Sequence, residues 1–403
     1  MKLRTLSIVL IGFLVMFFSS GIKSVFQVNF VTLAESFDVS RGALSIPGSL
    51  FMLVVGVGSL VAGFLCDRIG VKRTLMLSSA LAGVALITTA ASDSFVVFIG
   101  MYGGVAALAF AGVQWVPLGV LIDQTFSDKT KGVALAAVTN GTAAGFAVLA
   151  PLWVWLNVRQ DWNAVFLGLG LFLLVAVTAL IGFGLRVPPS TTTESSSPRT
   201  PTDWRGVLTG AEFWFLALSF AGCGATMAFI DVHLVPLMQD RSADPAAVAS
   251  TLTALGIFEI IGGFAVAALA VRSPFRVLLS SLYLVRGLSV FLLVAGGGEL
   301  AYVIFGAIFG LTYLGTVIIT SLYCLRFYGR EVKGTVFGAL WFGHQLGGVA
   351  CVSLGAWAYD VQGDYYLVLW VTGAISLVSA LLALTMPARM GTERQAQLAV
   401  SEA

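Results

Sequence analysis

Charge is what this sequence has least of. Asp, Glu, Lys and Arg together make up 10% of the 403 residues, where a soluble domain carries about 25%. Histidine is nearly absent, with His233 and His344 alone. So few polar groups cannot cover a water-soluble globule of this length, and the soluble classes fall away first. Cys66, Cys223, Cys324 and Cys351 form no CxxC pair and no metal spacing, so they read as small packing residues, with no metal site expected. Also missing are HExxH, GxSxG with partners, a GxxxxGK[ST] phosphate loop and paired aspartates within an apolar run. An enzyme is therefore not expected, nor ATP hydrolysis by this chain, nor a cofactor. The net charge of +2 comes without a nucleic-acid patch.

What is abundant is apolar sequence, 58% of the chain. Crossing about 30 Å of hydrocarbon takes around 20 apolar residues in a helix, and twelve runs of that kind follow one another, from residues 5–34 to residues 365–386. The first run is too long for a cleaved signal peptide and no small-residue cleavage site follows it. Basic residues gather in alternate loops: Arg68, Lys72, Arg73, Lys129, Lys131, Arg326, Arg330 and Lys333 fall on the side of the N-terminus, and only Arg41, Arg159 and Arg241 on the other. Positive charge accumulates on the cytoplasmic face, which predicts both termini inside and a multi-pass protein of the cell membrane.

The two halves of the chain echo each other. Lys131-Gly132, Gly141, Gly145, Trp155 and Asp161-Trp162 align with Lys333-Gly334, Gly343, Gly347, Trp357 and Asp364-Tyr365, and Phe26 to Ala43 aligns with Phe229 to Ala246. A unit of about 200 residues is far longer than a solenoid repeat and fits two homologous membrane halves around a path. The expected fold is an all-α membrane protein of twelve transmembrane helices in two pseudo-symmetric six-helix bundles. Residues 1–186 form the first bundle and 207–388 the second. The Pro-, Ser- and Thr-rich segment 187–206 is a flexible cytoplasmic linker, and 389–403 a cytoplasmic tail.

Gly63, Asp67, Arg68, Gly70, Lys72 and Arg73 follow the second run in the pattern G-x-x-x-D-R-x-G-x-K-R. This resembles the signature of the major facilitator superfamily. The resemblance implies that Gly63 lets helices approach, Gly70 makes a tight turn, and Asp67, Arg68 and Arg73 clamp helix ends to gate the conformational change. Gly21-Ile22-Lys23-Ser24, Asp161-Trp162 to Phe166, Asp231 to Pro236 and Tyr359 to Tyr365 are similar to the monocarboxylate porter and oxalate/formate-antiporter-like branch. That branch places an acid and, four positions later, an arginine on helix 8. Here Glu259 supplies the acid, and Gly263 stands where the arginine belongs.

Ionisable groups inside apolar runs are costly and face partners or wet cavities. Lys23 is either an anchor for an anionic substrate and a proton acceptor, or a side chain snorkelling to the outer surface, with Gln27 one turn on extending a polar stripe. Glu259 is either the titrating carboxylate of proton coupling or half of a structural ion pair with Arg286, which a depth count from the turn near Ser273 puts at a similar level. Arg286 is also a candidate substrate ligand in place of the missing helix 8 arginine. Asp231 and His233 fall near the outer mouth, as a gate, a pH sensor (Asp231 then a proton-coupling group) or a hydrated rim. Gln114, Asn140 and Tyr313 are candidate cavity-lining residues, and His344 a packing residue. Together these predict a secondary transporter, monomeric, moving a small organic anion, a monocarboxylate, with protons by alternating access. The alternative is a drug exporter or a carrier of neutral metabolites.

Overall fold

The computed structural model of the protein describes residues 3–126, 130–186, 204–296 and 298–386. Among these, twelve helices are long and apolar enough to cross a membrane: α1 Thr5–Ser36, α2 Arg41–Ile69, α3 Val71–Ala90, α4 Phe95–Thr125, α5 Val133–Asn157, α6 Trp162–Gly184, α7 Ala211–Asp240, α8 Pro245–Ala270, α9 Phe275–Ala295, α10 Gly298–Tyr328, α11 Val336–Gln362 and α12 Tyr366–Thr385. No strand occurs among the described residues. The expected all-α, twelve-helix fold is the observed one. Of the expected linker, 187–203 lies outside the described residues, and from Trp204 the chain is already helical, over Trp204–Thr209. The expected tail 389–403 also lies outside them.

Helix ends follow local chemistry. Ser40 caps α2 by accepting from the Ala43 amide, and Asp244 caps α8 through the Ala246 amide, with Pro245 in the first turn. Gly70 closes α2 at φ +85°, a conformation that side chains resist, as the turn reading required. In α4 the helix is π-wound over Ile99–Ala106 and breaks across residues 112–114 before Trp115. Pro117 accounts for the break, since its ring clashes with the carbonyl of Val113 and offers no amide hydrogen.

Packing repeats in the two halves as the sequence does. A side chain at Gly145 of α5 would strike the Phe17 carbonyl of α1, and one at Gly347 of α11 would strike the Ala221 carbonyl of α7. Gly83 of α3 meets Gly170 of α6, and Gly287 of α9 meets Gly373 of α12. Such small-residue crossings let backbones touch where lipid gives helices little reason to associate. Cys223 and Thr316 set α10 antiparallel to α7, whereas Gly224 against His344 and Asp240 against Tyr359 set α11 parallel to it. Since α10 and α11 run in opposite directions, the chain reverses between Tyr328 and Val336. The halves meet along α1–α7, α2–α11 and α5–α8.

Candidate functional site

Three helices bring charged side chains together deep in the bundle. Lys23 lies about 27 Å along α1 from Thr5 and about 20 Å from Ser36, close to the middle of the span. Its ammonium donates to Oδ2 of Asp231 on α7, forming an ion pair that joins the two halves. The Tyr313 hydroxyl of α10 donates to both carboxylate oxygens of Asp231, at 2.9 Å each. Glu259 of α8 is buried, within electrostatic reach of both Asp231 and Lys23, and its carboxylate makes no hydrogen bond with another described residue. The Lys23 side chain keeps 38% of its surface exposed and Asp231 12%, so the pair borders an accessible space. Lys23 engages the opposite half, and the snorkelling alternative falls.

Other candidates serve as struts. The Gln27 amide donates across the halves to the Ile230 carbonyl at 3.0 Å. That of Gln114 donates to Ser19 at 2.7 Å. Asn140 is half-buried on α5, beside the tight crossing at Gly141. His344 stacks on Trp341 with rings 5.0 Å apart and packs on Phe220, in keeping with a packing role.

Three expectations need correction. The Glu259–Arg286 ion pair does not form. Arg286 is wholly buried and donates to Thr312, Thr316, Thr226, Cys223 and the carbonyls of Thr312 and Tyr313. Depth along a helix was legible but its rotation was not: α9 turns this face to α7 and α10, while α8 packs on α10 and α5. Asp231 and His233 do not form a hydrated rim either. His233 is fully enclosed by Phe30, Phe229 and Tyr365, and its Nε2–H donates to the Val352 carbonyl at 2.9 Å. Finally, Gly63 has only ordinary contact with Val116, so no close crossing explains it.

A second constellation escaped the sequence analysis, where Arg41 counted only as a loop cation. At the end of the bundle where α1 stops and α2 starts, Arg41 forks onto both oxygens of Asp240, at 2.5 Å each. It also donates to the Tyr365 hydroxyl at 2.8 Å and lies 3.6 Å over the Tyr359 ring. Burial pushes the Tyr365 phenol above its ordinary range, so it stays un-ionised. Asp360 of α11 accepts from Ser40 and from the Gly42 amide, both at 2.8 Å. A signal was available. Arg41 opens α2 and Asp240 closes α7, so each charge sits at the helix end whose dipole disfavours it, and each needs a partner.

At the opposite end Asp67, Arg68 and Arg73 are exposed and form no side-chain hydrogen bond or ion pair with described residues. Arg68 merely lies 5.3 Å over the Phe64 ring. Among the described residues no group of three His, Cys, Asp or Glu is placed to hold a metal ion.

Comparison with known proteins agrees with this architecture. The family model of the Major Facilitator Superfamily matches residues 10–352. The chain is 28% identical over 381 residues to an uncharacterized MFS-type transporter, YcxA, of Bacillus subtilis (strain 168), covering 91% of each chain. It is 22% identical over 395 residues to Monocarboxylate transporter 12-B of Danio rerio, covering 89% of this chain and 81% of that one. Among solved structures, a bacterial homologue of the human lysosomal transporter Spinster, crystallised in an inward-facing and unoccupied conformation, superposes with a TM-score of 0.74 at 14% identity over 96% of each chain. The chain belongs to the major facilitator superfamily, and is a multi-pass membrane transporter rather than an enzyme.

Proposed function

We propose that this transporter carries a small organic anion, a monocarboxylate, together with a proton by alternating access. The observation that carries this is the Lys23–Asp231 pair spanning the two halves with Glu259 beside it. Lys23, Asp231 and an ionised Glu259 together hold one net negative charge, which repels an anion. A proton on Glu259 removes it, and a substrate carboxylate then shares the Lys23 ammonium with Asp231, while Tyr313 fixes the carboxylate of Asp231. Loading at this pair changes what joins the halves, which is how occupancy biases a rocking equilibrium. With both termini cytoplasmic, the end held by Arg41 and Asp240 faces outward and the site opens inward. The similarity to a monocarboxylate transporter of Danio rerio supports the substrate class.

The second reading, a carrier of neutral metabolites or a drug exporter, draws on one observation: Asp231 already neutralises Lys23, and Gly263 offers no cation on α8. Uptake of labelled lactate and pyruvate into proteoliposomes, with and without an imposed pH gradient, separates the two. Anion carriage with protons predicts accumulation only with the gradient, and a Glu259→Gln protein that still exchanges labelled for unlabelled lactate but no longer accumulates it. Uptake of neither acid, or uptake indifferent to the gradient, favours the second reading.

A further inference from the structure

Among the described residues, Arg286 is the deep charge within the spans that the mechanism above leaves unused. An arginine keeps its charge at physiological pH, and burying a charge without a counter-ion is costly. Yet no Asp or Glu carboxylate meets this guanidinium: its acceptors are the hydroxyls of Thr226, Thr312 and Thr316, the Cys223 sulfur at 3.0 Å, and the carbonyls of Thr312, at 2.5 Å, and Tyr313. These six acceptors occupy the five N–H groups of the fork, so none is left for a ligand. They satisfy its hydrogen bonding without an Asp or Glu carboxylate among them.

What they do is place that charge. Two of the acceptors are backbone oxygens at Thr312 and Tyr313, the latter being the residue whose hydroxyl holds both oxygens of Asp231. Two more, Cys223 and Thr226, lie on α7 shortly before Asp231. The guanidinium therefore ties α9 to α7 and α10, the helices that carry Asp231 and Tyr313. Lys23, Asp231 and a protonated Glu259 sum to zero, which releases an anion as readily as it admits one. Arg286, set further back, adds a weaker positive field in both states: it favours an anion at the protonated site and only partly offsets the negative charge of the deprotonated one. At an effective dielectric of about 20, unit charges about 10 Å apart alter binding by roughly tenfold or more.

We propose that Arg286 is the specificity-determining residue that makes this site select an anion, acting through its field and its hold on Tyr313 without touching the substrate. The proposal rests on the anion-carrier function above and adds the origin of the charge preference.

The test is binding of matched pairs, lactate against lactamide and pyruvate against pyruvamide, to the purified full-length transporter in lipid nanodiscs. The wild type is expected to favour the acid at least tenfold. Arg286→Gln should lose about tenfold in acid affinity and keep amide affinity within about twofold, while Arg286→Lys keeps most of the preference. Thr226→Asp supplies a carboxylate where a hydroxyl now lies 3.4 Å from the guanidinium. It neutralises the charge while leaving the arginine in place, and so serves where Arg286→Gln fails to fold; it should lower the preference in the same way. A wild type that prefers the amides, or binds neither member, overturns the anion function and this proposal with it. A wild type that prefers the acids, with the preference intact in Arg286→Gln or Thr226→Asp, overturns this proposal alone and leaves Arg286 a scaffold.

Discussion

The two ends of this transporter both carry charged side chains of mixed sign and use them in opposite ways. At one end Arg41, Asp240 and Asp360 join α2 to α7 and α11 through a forked ion pair, an aromatic stack and a helix cap supplied by the other half. At the other end Asp67, Arg68 and Arg73 of the superfamily motif stand exposed with no ionic partner among the described residues. Identical contacts cannot be made at both ends if the halves rock about the middle, so one end holds its charges while the other waits. We propose from this difference that the motif engages in the complementary conformation of the cycle. The Lys23–Asp231 pair lies between the two ends, near the level about which such a motion turns.

The largest effect on this contrast should come from breaking the fork. Arg41 is buried, while Asp240 is the more exposed partner, so removing Asp240 strands a desolvated cation at a helix end that already disfavours it. Charge-assisted pairs of this kind cost about 2–3 kcal/mol when truncated, or roughly 30- to 150-fold in an equilibrium. Asp240→Asn or Arg41→Gln should therefore move most molecules out of the closed-end state, seen as a longer distance between spin labels on the α1–α2 and α7–α8 turns. Restoring the short distance with Arg41→Asp combined with Asp240→Arg would sharpen the assignment. A distance unchanged in both single variants would mean that hydrophobic packing alone holds this end.

How legible all this was depended on whether a property travels along the chain or across it. The twelve spans needed only run length, and the repeat in Gly145 and Gly347 told where backbones would touch. Gly70 could be read as a turn because its backbone demands it. Lys23, Asp231, Glu259 and Tyr313 were each visible as polar groups in apolar runs, and the structure brings all four together. Their pairing was not legible, because Lys23 meets Asp231 only once two homologous halves dock face to face. Arg286 shows the same limit: its depth was right, but its rotation toward threonines of α10 and α7 was set by packing that no periodicity records. The Arg41–Asp240 fork was missed for a weaker reason, since both charges stood at the wrong poles of their helices.

A smaller effect should follow from Asp360, which sharpens the contrast by testing the cap apart from the fork. Its carboxylate accepts from Ser40 and from the Gly42 amide at the start of α2, a favourable place for negative charge, but it is exposed to solvent and screened by salt. Asp360→Asn keeps one acceptor oxygen and loses the charge. The closed-end population should fall only about threefold to fivefold, and less at high salt, by the same spin-label distance. A loss as large as that of Asp240→Asn would make the cap, and not the fork, the principal fastening.

The smallest effect in this conformation belongs to Asp67, where the comparison is most exposed to failure. Among the described residues its side chain meets no hydrogen-bonding or ionic partner, so Asp67→Asn should remove nothing that stabilises the state with the Arg41 end closed. Surface substitutions without partners stay within about 0.5 kcal/mol. The melting temperature and the spin-label distance at the Arg41 end should accordingly match the wild type. Turnover should still fall, because the complementary state loses the carboxylate that would meet a basic helix end once the halves rock. A residue silent at equilibrium yet slow in the cycle is acting in a conformation that is visited and not populated. If Asp67→Asn instead loosens the Arg41 end, the two ends are not alternatives to one another, and the motif is engaged in the very state where its charges stand apart.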